Sequence, residues 1–163
     1  MIETIEYAGI HYPKFQATGN AARFIIPFAK EVCKGIGYDI GYCKEEWKLP
    51  GAVGIDIVND DGFDAITLPN KKVDYIFSSH CLEHVNNWVH TLDIWLSFIR
   101  YKGILFLYLP DHSQGYWSYG NRKHVNIFTP EIIRGYMKDR FMKNIFVSGI
   151  DLNNSFAAMA EVG

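Results

Sequence analysis

The sequence has few cysteines, and none of them stand at the spacing of a metal or disulfide motif. Cys33, Cys43 and Cys81 are the 3 cysteines among 163 residues. An odd number without a C-x-x-C pair argues against a disulfide framework and against a closed cysteine-rich zinc site. We therefore expect reduced thiols and a cytoplasmic protein.

Neither sign of charge dominates the chain. There are 16 basic and 18 acidic residues, giving a net charge of -2. The sequence thus lacks the basic excess that binding to a phosphate backbone requires, and we expect no duplex nucleic acid as a partner.

Long hydrophobic runs are missing as well. No apolar run approaches the roughly 20 residues that span a bilayer. Glu3 and Glu6 stand where a signal peptide would be basic. We expect neither membrane insertion nor secretion.

The size and composition of the chain suit a folded domain. Hydrophobic residues make up 48% and charged residues 21% of the sequence, close to the average of globular proteins. A length of 163 residues favours a single domain with one core over residues 1–163.

Short apolar segments alternate with segments of helical periodicity. We predict strands at residues 35–41, 52–58, 64–68, 73–79, 103–110, 141–149 and 155–162. Helices are predicted at 18–33, with a kink at Pro27, from Asn86 or Asn87 through Ile99, and at 130–139. Residues 150–154 leave room only for a hairpin, so the sheet should end in an antiparallel pair. The sequence predicts an α/β, Rossmann-like three-layer sandwich with a seven-stranded, mostly parallel sheet.

Acidic residues stand at the ends of the first predicted strands, where ligands bind in such sheets. Asp39 ends the first strand with Gly41 in the following turn, Asp56 lies at the end of the second strand, and Asp64 lies beside the third. Asp56 is placed to accept hydrogen bonds from ribose hydroxyls. The alternatives are a turn glycine with a solvated aspartate, and a helix cap at Asp56. The dinucleotide pattern G-x-G-x-x-G is not satisfied in residues 35–41.

An ordered set of segments resembles the class I S-adenosylmethionine-dependent methyltransferases of the type-11 group. These segments are DIGYC at 39–43, KLPGAVGIDIV at 48–58, DAITLP at 64–69, VDYIFSSHCLEHVNN at 73–87, KGILFLYLPD at 102–111 and HVNIFTPE at 124–131. The resemblance implies S-adenosylmethionine as the cofactor and the strand order 3-2-1-4-5-7-6.

The resemblance also implies roles for individual residues in a cofactor site. Asp39 and Gly41 would approach the amino-acid part of the cofactor and Cys43 its carboxylate end, while Asp56 would hold the ribose and Ile57 would pack on the adenine. Asp64 and Ala65 would bracket the adenine edge, and Ser78, Ser79 and His80 would line the methyl-donor side.

The glycine-rich turn of this family is altered here. Cys43 and Glu45 occupy its last two glycine positions, and Lys48–Gly51 replaces most of the helix that usually follows. Cysteine at position 43 would narrow the carboxylate end of the pocket, and an inward Glu45 would repel the cofactor's carboxylate. A second hypothesis is therefore a non-catalytic cofactor-binding or scaffold protein.

Residues 80–84, HCLEH, match the H-x-x-E-H signature of inverted zinc peptidases. On a helix, His80 and His84 would share a face and bind zinc, with Glu83 as general base. The motif directly follows the predicted strand at 73–79, which places His80 at a strand end. The zinc peptidase is a remote alternative, and no metal site is expected.

Histidines are the candidates for a catalytic base, because imidazole titrates near neutrality. They are His80, His112 and His124, and each has a structural alternative: shaping the cofactor pocket, capping a turn or anchoring a loop.

The acceptor is expected to be a small molecule or a glycan, methylated on oxygen. The polar loop at 111–124 follows the fifth predicted strand, and such loops often form acceptor sites. Its Tyr116, Trp117 and Tyr119 offer stacking surfaces for a flat acceptor or a sugar, and Arg122 offers a charge for an anionic group. Covering the end of the sheet is the equally weighted alternative for the aromatic rings, and a solvated surface charge is the alternative for Arg122.

Overall fold

The computed structural model describes residues 1–163. A two-stranded antiparallel hairpin, β1 (Thr4–Tyr7) and β2 (Ile10–Pro13), precedes the main sheet. The strands of that sheet are β3 (Gly37–Ile40), β4 (Val53–Ile55), β5 (Val73–Ser79), β6 (Ile99–Pro110), β7 (Lys143–Val147) and β8 (Ser155–Glu161). The helices are α1 (Ile26–Val32), α2 (Trp88–Phe98) and α3 (Pro130–Asp139).

The six strands of the main sheet lie in the order β4-β3-β5-β6-β8-β7. β4, β3, β5 and β6 are parallel to one another, whereas β8 is antiparallel to both β6 and β7. The predicted antiparallel end is confirmed. The predicted order is also confirmed, apart from its outermost strand.

That outermost strand, predicted at 64–68, is wrong, and the sheet has six strands instead of seven. The side chain of Asp64 accepts hydrogen bonds from the backbone amides of Ile66 and Thr67 at 2.9 and 2.7 Å. An aspartate that binds the amides two and three residues ahead forms a local turn, which competes with strand pairing.

The first helix is much shorter than predicted. α1 covers only Ile26–Val32, and Ala22–Phe24 form a separate short 3₁₀ turn. Pro27 lies in the first turn of α1, where a missing N–H is tolerated, whereas deeper in a helix its ring clashes with the preceding turn. Pro27 therefore marks the start of a helix and not a kink within one.

The other two helices begin at the capping residues expected from the sequence. The side chain of Asn87 accepts a hydrogen bond from the amide of His90 ahead of α2. Thr129 does the same for Ile132 ahead of α3, whose first residue is Pro130. Both caps satisfy amides that a helix start leaves without partners.

The sheet is buried on both faces, as the three-layer prediction requires. Along β6, Leu105, Leu107 and Leu109 belong to the core that includes the buried side chains of α2 and α3. Phe106 and Tyr108 belong to a second core with Ala29 of α1. Successive strand residues point to opposite faces, so one apolar strand contributes to both cores.

No helix of this fold combines the length and the apolar character that crossing a bilayer requires.

Candidate functional site

The carboxyl ends of β3, β4 and β5 open onto a cavity of about 590 Å³. Its volume falls within the range of small-molecule and cofactor sites. Many of the residues predicted for a cofactor line it: Asp39, Gly41, Cys43, Asp56, Ile57, Ala65, Ser79 and His80. The alignment of parallel strands thus brings together side chains that are distant in sequence.

Gly41 forms the turn at the end of β3, and its backbone has a φ of +82°. A Cβ at this position would lie 2.5 Å from the Cβ of Cys81. Both the left-handed backbone and the close approach of Cys81 require glycine here.

Cys43, which the resemblance aligns with a glycine of the turn, adopts a φ of +65°. The turn therefore retains a left-handed backbone although the glycine is lost. The other altered position, Glu45, forms an ion pair with Lys48 at 2.5 Å and is not among the residues that line the cavity. Glu45 consequently does not oppose a cofactor carboxylate.

Asp56 joins the turn after β3 to the end of β4. Its carboxylate accepts hydrogen bonds from the amides of Cys43 at 2.9 Å and Val58 at 3.1 Å. Ile57 follows at the rim of the cavity, and the residue is 78% exposed. The cap predicted as the alternative for Asp56 and its place in the cavity are thus both present.

Asp39 is almost completely buried and closes the loop that follows β3. Its carboxylate accepts a hydrogen bond from the amide of Leu49 at 2.6 Å. Burial raises the pKa of Asp39 to about 7, and the Leu49 amide and Lys48 oppose that rise.

Two predicted cofactor residues do not line the cavity. The Asp64 side chain accepts the hydrogen bonds of its own turn. The buried hydroxyl of Ser78 donates to the carbonyl of Ile40 at 2.8 Å and so links β5 to β3. The next residue, Ser79, does line the cavity, and its buried Oγ has no hydrogen-bond partner within the protein. An unpaired buried hydroxyl beside a cavity of this size fits a polar ligand, which is what a nucleoside-containing cofactor provides.

A smaller cavity of about 80 Å³ adjoins the first one. The residues common to both cavities are Gly19, Asn20, Ala21, His80 and His84. The rest of the small cavity is formed by Phe15, Gln16, Thr18, Phe24, Glu83, Gln114, Trp117, His124 and Asn153. A group bound in the small cavity would therefore lie beside a cofactor in the large one.

Glu83 lies at the wall of the small cavity with no exposed surface, and both of its carboxyl oxygens lack hydrogen-bond partners. Oε1 is 3.5 Å from Nδ1 of His80 and 3.9 Å from Nε2 of both His84 and His124. Burial raises the pKa of Glu83 to about 8.

The histidines around Glu83 are shifted in the opposite direction. Burial, followed by the neighbouring histidines, lowers the pKa of His80 to about 3, and burial and His84 lower that of His124 to about 4. Burial lowers the pKa of His84 as well. These rings are uncharged at neutral pH, because desolvation disfavours imidazolium.

Of the residues predicted to be bases, His80 and His124 line the small cavity and His112 does not. The side chain of His112 is 61% exposed and lies beside Asp111. His112 follows the end of β6 on the outer surface and lines neither cavity.

Most of the residues predicted to bind the acceptor instead make contacts within the protein. Tyr116 is buried against the rings of Tyr7 and Tyr12, and the guanidinium of Arg122 covers the rings of Tyr7 and Tyr116 at 4.1 and 4.6 Å. These contacts attach the loop to the β1–β2 hairpin. Tyr119 is 65% exposed and lines neither cavity.

Trp117 is the one aromatic residue of that prediction that lines a cavity. Its Nε1–H donates to the carbonyl of Gln16 at 2.6 Å, and its ring stacks on His124 with a centroid distance of 5.7 Å. Sequence reasoning found His80, Glu83, His84 and His124 but missed the walls formed by residues 15–21, Gln114 and Asn153. The predicted helix at 18–33 overlaps the first of these, and nothing in the sequence marks Gln114 or Asn153.

The zinc-peptidase hypothesis required a helix over residues 80–84, and this premise is wrong. His80 follows β5 with a φ of +51°, and Leu82–His84 form a short 3₁₀ turn. His80 and His84 therefore do not share a helical face.

Comparison with known proteins agrees with the site. Residues 17–140 match a family described as a methyltransferase domain. A comparison with curated proteins gives no match.

Solved structures with the same fold are distant in sequence. A SAM-dependent methyltransferase from Archaeoglobus fulgidus is 17% identical, with 86% of this chain and 94% of that chain covered and a TM-score of 0.64. The N-methyltransferase NodS from Bradyrhizobium japonicum WM9, in complex with S-adenosyl-L-homocysteine, is 12% identical, with 92% and 91% covered and a TM-score of 0.66. Human N-acetylserotonin methyltransferase, in complex with SAM, is 10% identical, with 92% and 55% covered and a TM-score of 0.63.

The family match covers most of the chain, and the cavity lies where a doubly wound sheet binds its ligands. This chain belongs to the methyltransferase domain family and has the fold of S-adenosylmethionine-dependent methyltransferases.

Proposed function

We propose that this protein transfers a methyl group from S-adenosylmethionine to an oxygen of a small-molecule or glycan acceptor. The observation that carries the proposal is the pair of adjoining cavities, one of cofactor size and one small, with His80 in the wall of both. Holding two reactants side by side makes a bimolecular reaction effectively unimolecular, which accelerates it.

The large cavity has groups that suit each part of the cofactor. Asp56 would accept hydrogen bonds from the ribose hydroxyls, Ile57 and Ala65 would contact the adenine, and Ser79 would lie on the methyl-donor side. Asp39 and the turn at 41–43 would enclose the amino-acid part. When bound, S-adenosylmethionine would supply a methyl group on a positively charged sulfur. The acceptor oxygen would take the methyl group, S-adenosylhomocysteine would leave, and the hydroxyl proton would pass to water.

The small cavity, at about 80 Å³, suits the reacting hydroxyl end of an acceptor and not a whole ring. The Oε1 atom of Gln114 is buried in its wall without a hydrogen-bond partner, while Nε2 donates to the carbonyl of Asn153 at 2.6 Å. A free carbonyl oxygen accepts from a hydroxyl. Trp117 and Phe24 provide apolar surface beside that oxygen. His80 lies in the same wall, with its Nε2 paired to Oγ of Ser155 at 3.0 Å.

One solved structure of the same fold is an N-acetylserotonin methyltransferase, which supports a small acceptor for this chain. We also infer that residues 1–163 form one methyltransferase-like domain, and that it works in the cytoplasm, where its three free cysteines stay reduced.

Methyl transfer to a panel of phenols, sugars and their amine analogues tests the proposal, with the product identified by mass spectrometry. We expect methylation of hydroxyl acceptors. Gln114→Leu should lower kcat/KM about tenfold, the effect of one lost hydrogen bond, and leave the KM for S-adenosylmethionine unchanged. His112→Gln is the control and should retain full activity, because His112 lines neither cavity.

Two results would contradict the proposal. Methylation confined to amines would exclude oxygen as the acceptor atom. Binding of S-adenosylhomocysteine without any methyl transfer would favour the non-catalytic cofactor-binding protein, the hypothesis that the sequence raises at positions 43 and 45.

A further inference from the structure

The carboxyl group of Glu83 is the buried polar group that the fold leaves most poorly satisfied. The residue has no exposed surface, and neither Oε1 nor Oε2 has a hydrogen-bond partner. Burying a carboxylate without a partner costs several kcal/mol, and buried polar groups in folded proteins are almost always paired. The group therefore either holds a proton or has a partner that the protein chain does not supply.

Two imidazole nitrogens face the same carboxyl oxygen. Nε2 of His84 and Nε2 of His124 each lie 3.9 Å from Oε1 of Glu83. Donor atoms of these three residues all lie within 4.8 Å of one another. Donors around a tetrahedral zinc ion are about 3.3 Å apart, given metal bonds of about 2.0–2.1 Å. Closing the group onto an ion requires the donor atoms to approach one another by at most about 1.5 Å.

His84 already has the hydrogen bond that a metal-binding histidine needs on its other nitrogen. Nδ1 lies 3.2 Å from the backbone carbonyl of Lys123. A proton on Nδ1 donates to that carbonyl and leaves the lone pair of Nε2 directed at Glu83. Metal-binding histidines commonly donate their second N–H to a carbonyl in this way, which fixes the ring and its tautomer.

The loop that carries His124 is fastened to the turn that carries Glu83 and His84. The carbonyl of Glu83 accepts hydrogen bonds from the amides of Val125 and Asn126 at 2.7 and 3.2 Å. The side-chain amide of Asn126 donates to the carbonyls of Leu82 and Val85 at 2.9 and 2.6 Å. Backbone contacts thus hold the three donors together without any ion, as a prepared site requires.

We propose that Glu83, His84 and His124 bind a divalent transition-metal ion of the zinc class. Two imidazoles and one carboxylate form the donor set of open zinc sites, whereas Mg²⁺ and Ca²⁺ prefer oxygen donors. The sequence predicts no metal here. Its remote zinc-peptidase alternative makes Glu83 a base and His80 a ligand, whereas in this site Glu83 is a ligand and His124 replaces His80.

The position of the site gives the ion a place beside the reaction. All three ligands line the small cavity, and His84 also lines the large one. Three protein ligands leave at least one coordination position open for water or an acceptor hydroxyl. This assignment of the open position rests on the proposed function, whereas binding of the ion itself does not.

Zinc binding to the metal-free protein tests the site without any assay of activity. We expect one equivalent of Zn²⁺ by isothermal titration and by metal analysis after dialysis. Co²⁺, used as a spectroscopic probe, should give the visible absorption of a site with nitrogen ligands. Glu83→Gln and His124→Ala should each weaken Zn²⁺ binding at least tenfold, while His90→Gln, an exposed histidine of α2, should not.

Glu83→Gln separates a ligand from a residue that only supports the fold. Glutamine keeps the shape of the side chain and removes the charge, so the metal-free variant should be at least as stable as the parent protein while it loses zinc. No Zn²⁺ binding at 0.1 mM, or binding that Glu83→Gln leaves unchanged, would overturn the proposal and favour a protonated Glu83. S-Adenosylhomocysteine binding measured on the same samples shows separately whether the cofactor site is intact.

Discussion

The buried carboxyl of Asp39 makes the stability of the protein depend on pH. Its pKa of about 7 lies above the ordinary value of 3.8 because burial disfavours the charged form. The folded state therefore binds the proton more tightly than the unfolded state does. The stability from this group is complete below pH 4 and is lost as the pH rises towards 7.

Asp39→Asn removes this dependence and keeps an oxygen for the Leu49 amide. We expect the unfolding free energy of the variant, relative to that of the parent protein, to be about 2–3 kcal/mol larger at pH 8 than at pH 5. Urea unfolding at the two pH values measures the gain. An equal difference at both pH values would contradict the raised pKa.

Alanine substitutions at Gly41 and Gly51 distinguish the cost of a strained backbone from the cost of steric crowding. Both glycines have positive φ, but a Cβ at Gly41 meets Cys81 at 2.5 Å, whereas nothing lies within 4 Å of one at Gly51. Gly51→Ala should cost about 1 kcal/mol for its left-handed backbone. Gly41→Ala should cost 1–3 kcal/mol more, because overpacking is added.

Chemical denaturation of the two glycine variants measures both costs. Equal losses of stability would show that Cys81 moves away without cost, and that only the backbone conformation requires glycine at position 41.

Sequence reasoning located Asp39, Asp56 and Ser79 because the carboxyl ends of parallel strands meet at one edge. It did not separate Ser78 from Ser79, since adjacent strand residues face opposite sides and a one-residue uncertainty reverses the assignment. Glu83 was noticed only as part of a motif. Its partner His124 lies on a loop whose path depends on tertiary hydrogen bonds.

At the scale of elements, Asn126 connects the loop before α3 to the turn after β5. Asn126→Ala removes two hydrogen bonds to the carbonyls of Leu82 and Val85. We expect a loss of about 1–3 kcal/mol of stability and faster hydrogen exchange at the Val125 amide, which donates to Glu83.

Asn86→Ala is the matched control for that variant, because Asn86 is exposed on the neighbouring segment. Unchanged exchange at Val125 in Asn126→Ala would show that the backbone bonds alone hold the loop.

The elements that the sequence predicted well are those with local signals. Local sequence alone predicts the helix starts at Asn87 and Thr129, which carry capping side chains. It also predicts β6, which is a continuous apolar run. The β1–β2 hairpin escaped prediction because its turn uses Ala8 at a φ of 52° and Gly9 at 75°. Such turns usually contain Asn-Gly or Asp-Gly. The strand predicted at 64–68 failed because a side-chain turn at Asp64 competes with strand pairing.

At the scale of the whole molecule, the sheet and the segments around it form different cavities. The ends of β3, β4 and β5 form the cavity of cofactor size, whereas residues 15–24, the turn after β5 and the loop before α3 form the small one. The sheet portion follows from the fold class. The rest depends on contacts between distant segments, such as the hydrogen bond from Trp117 to Gln16.

The central claim is that the large cavity binds S-adenosylmethionine. Thermal unfolding with and without S-adenosylhomocysteine tests it most directly. At 100 times its dissociation constant the ligand should add about 2.7 kcal/mol, a rise in Tm of about 5–10 °C. Asp56→Asn should lose most of that rise, whereas Asp60→Asn should keep it, since Asp60 is exposed and outside the cavity. No rise at millimolar ligand, or an equal rise in Asp56→Asn, would contradict the account.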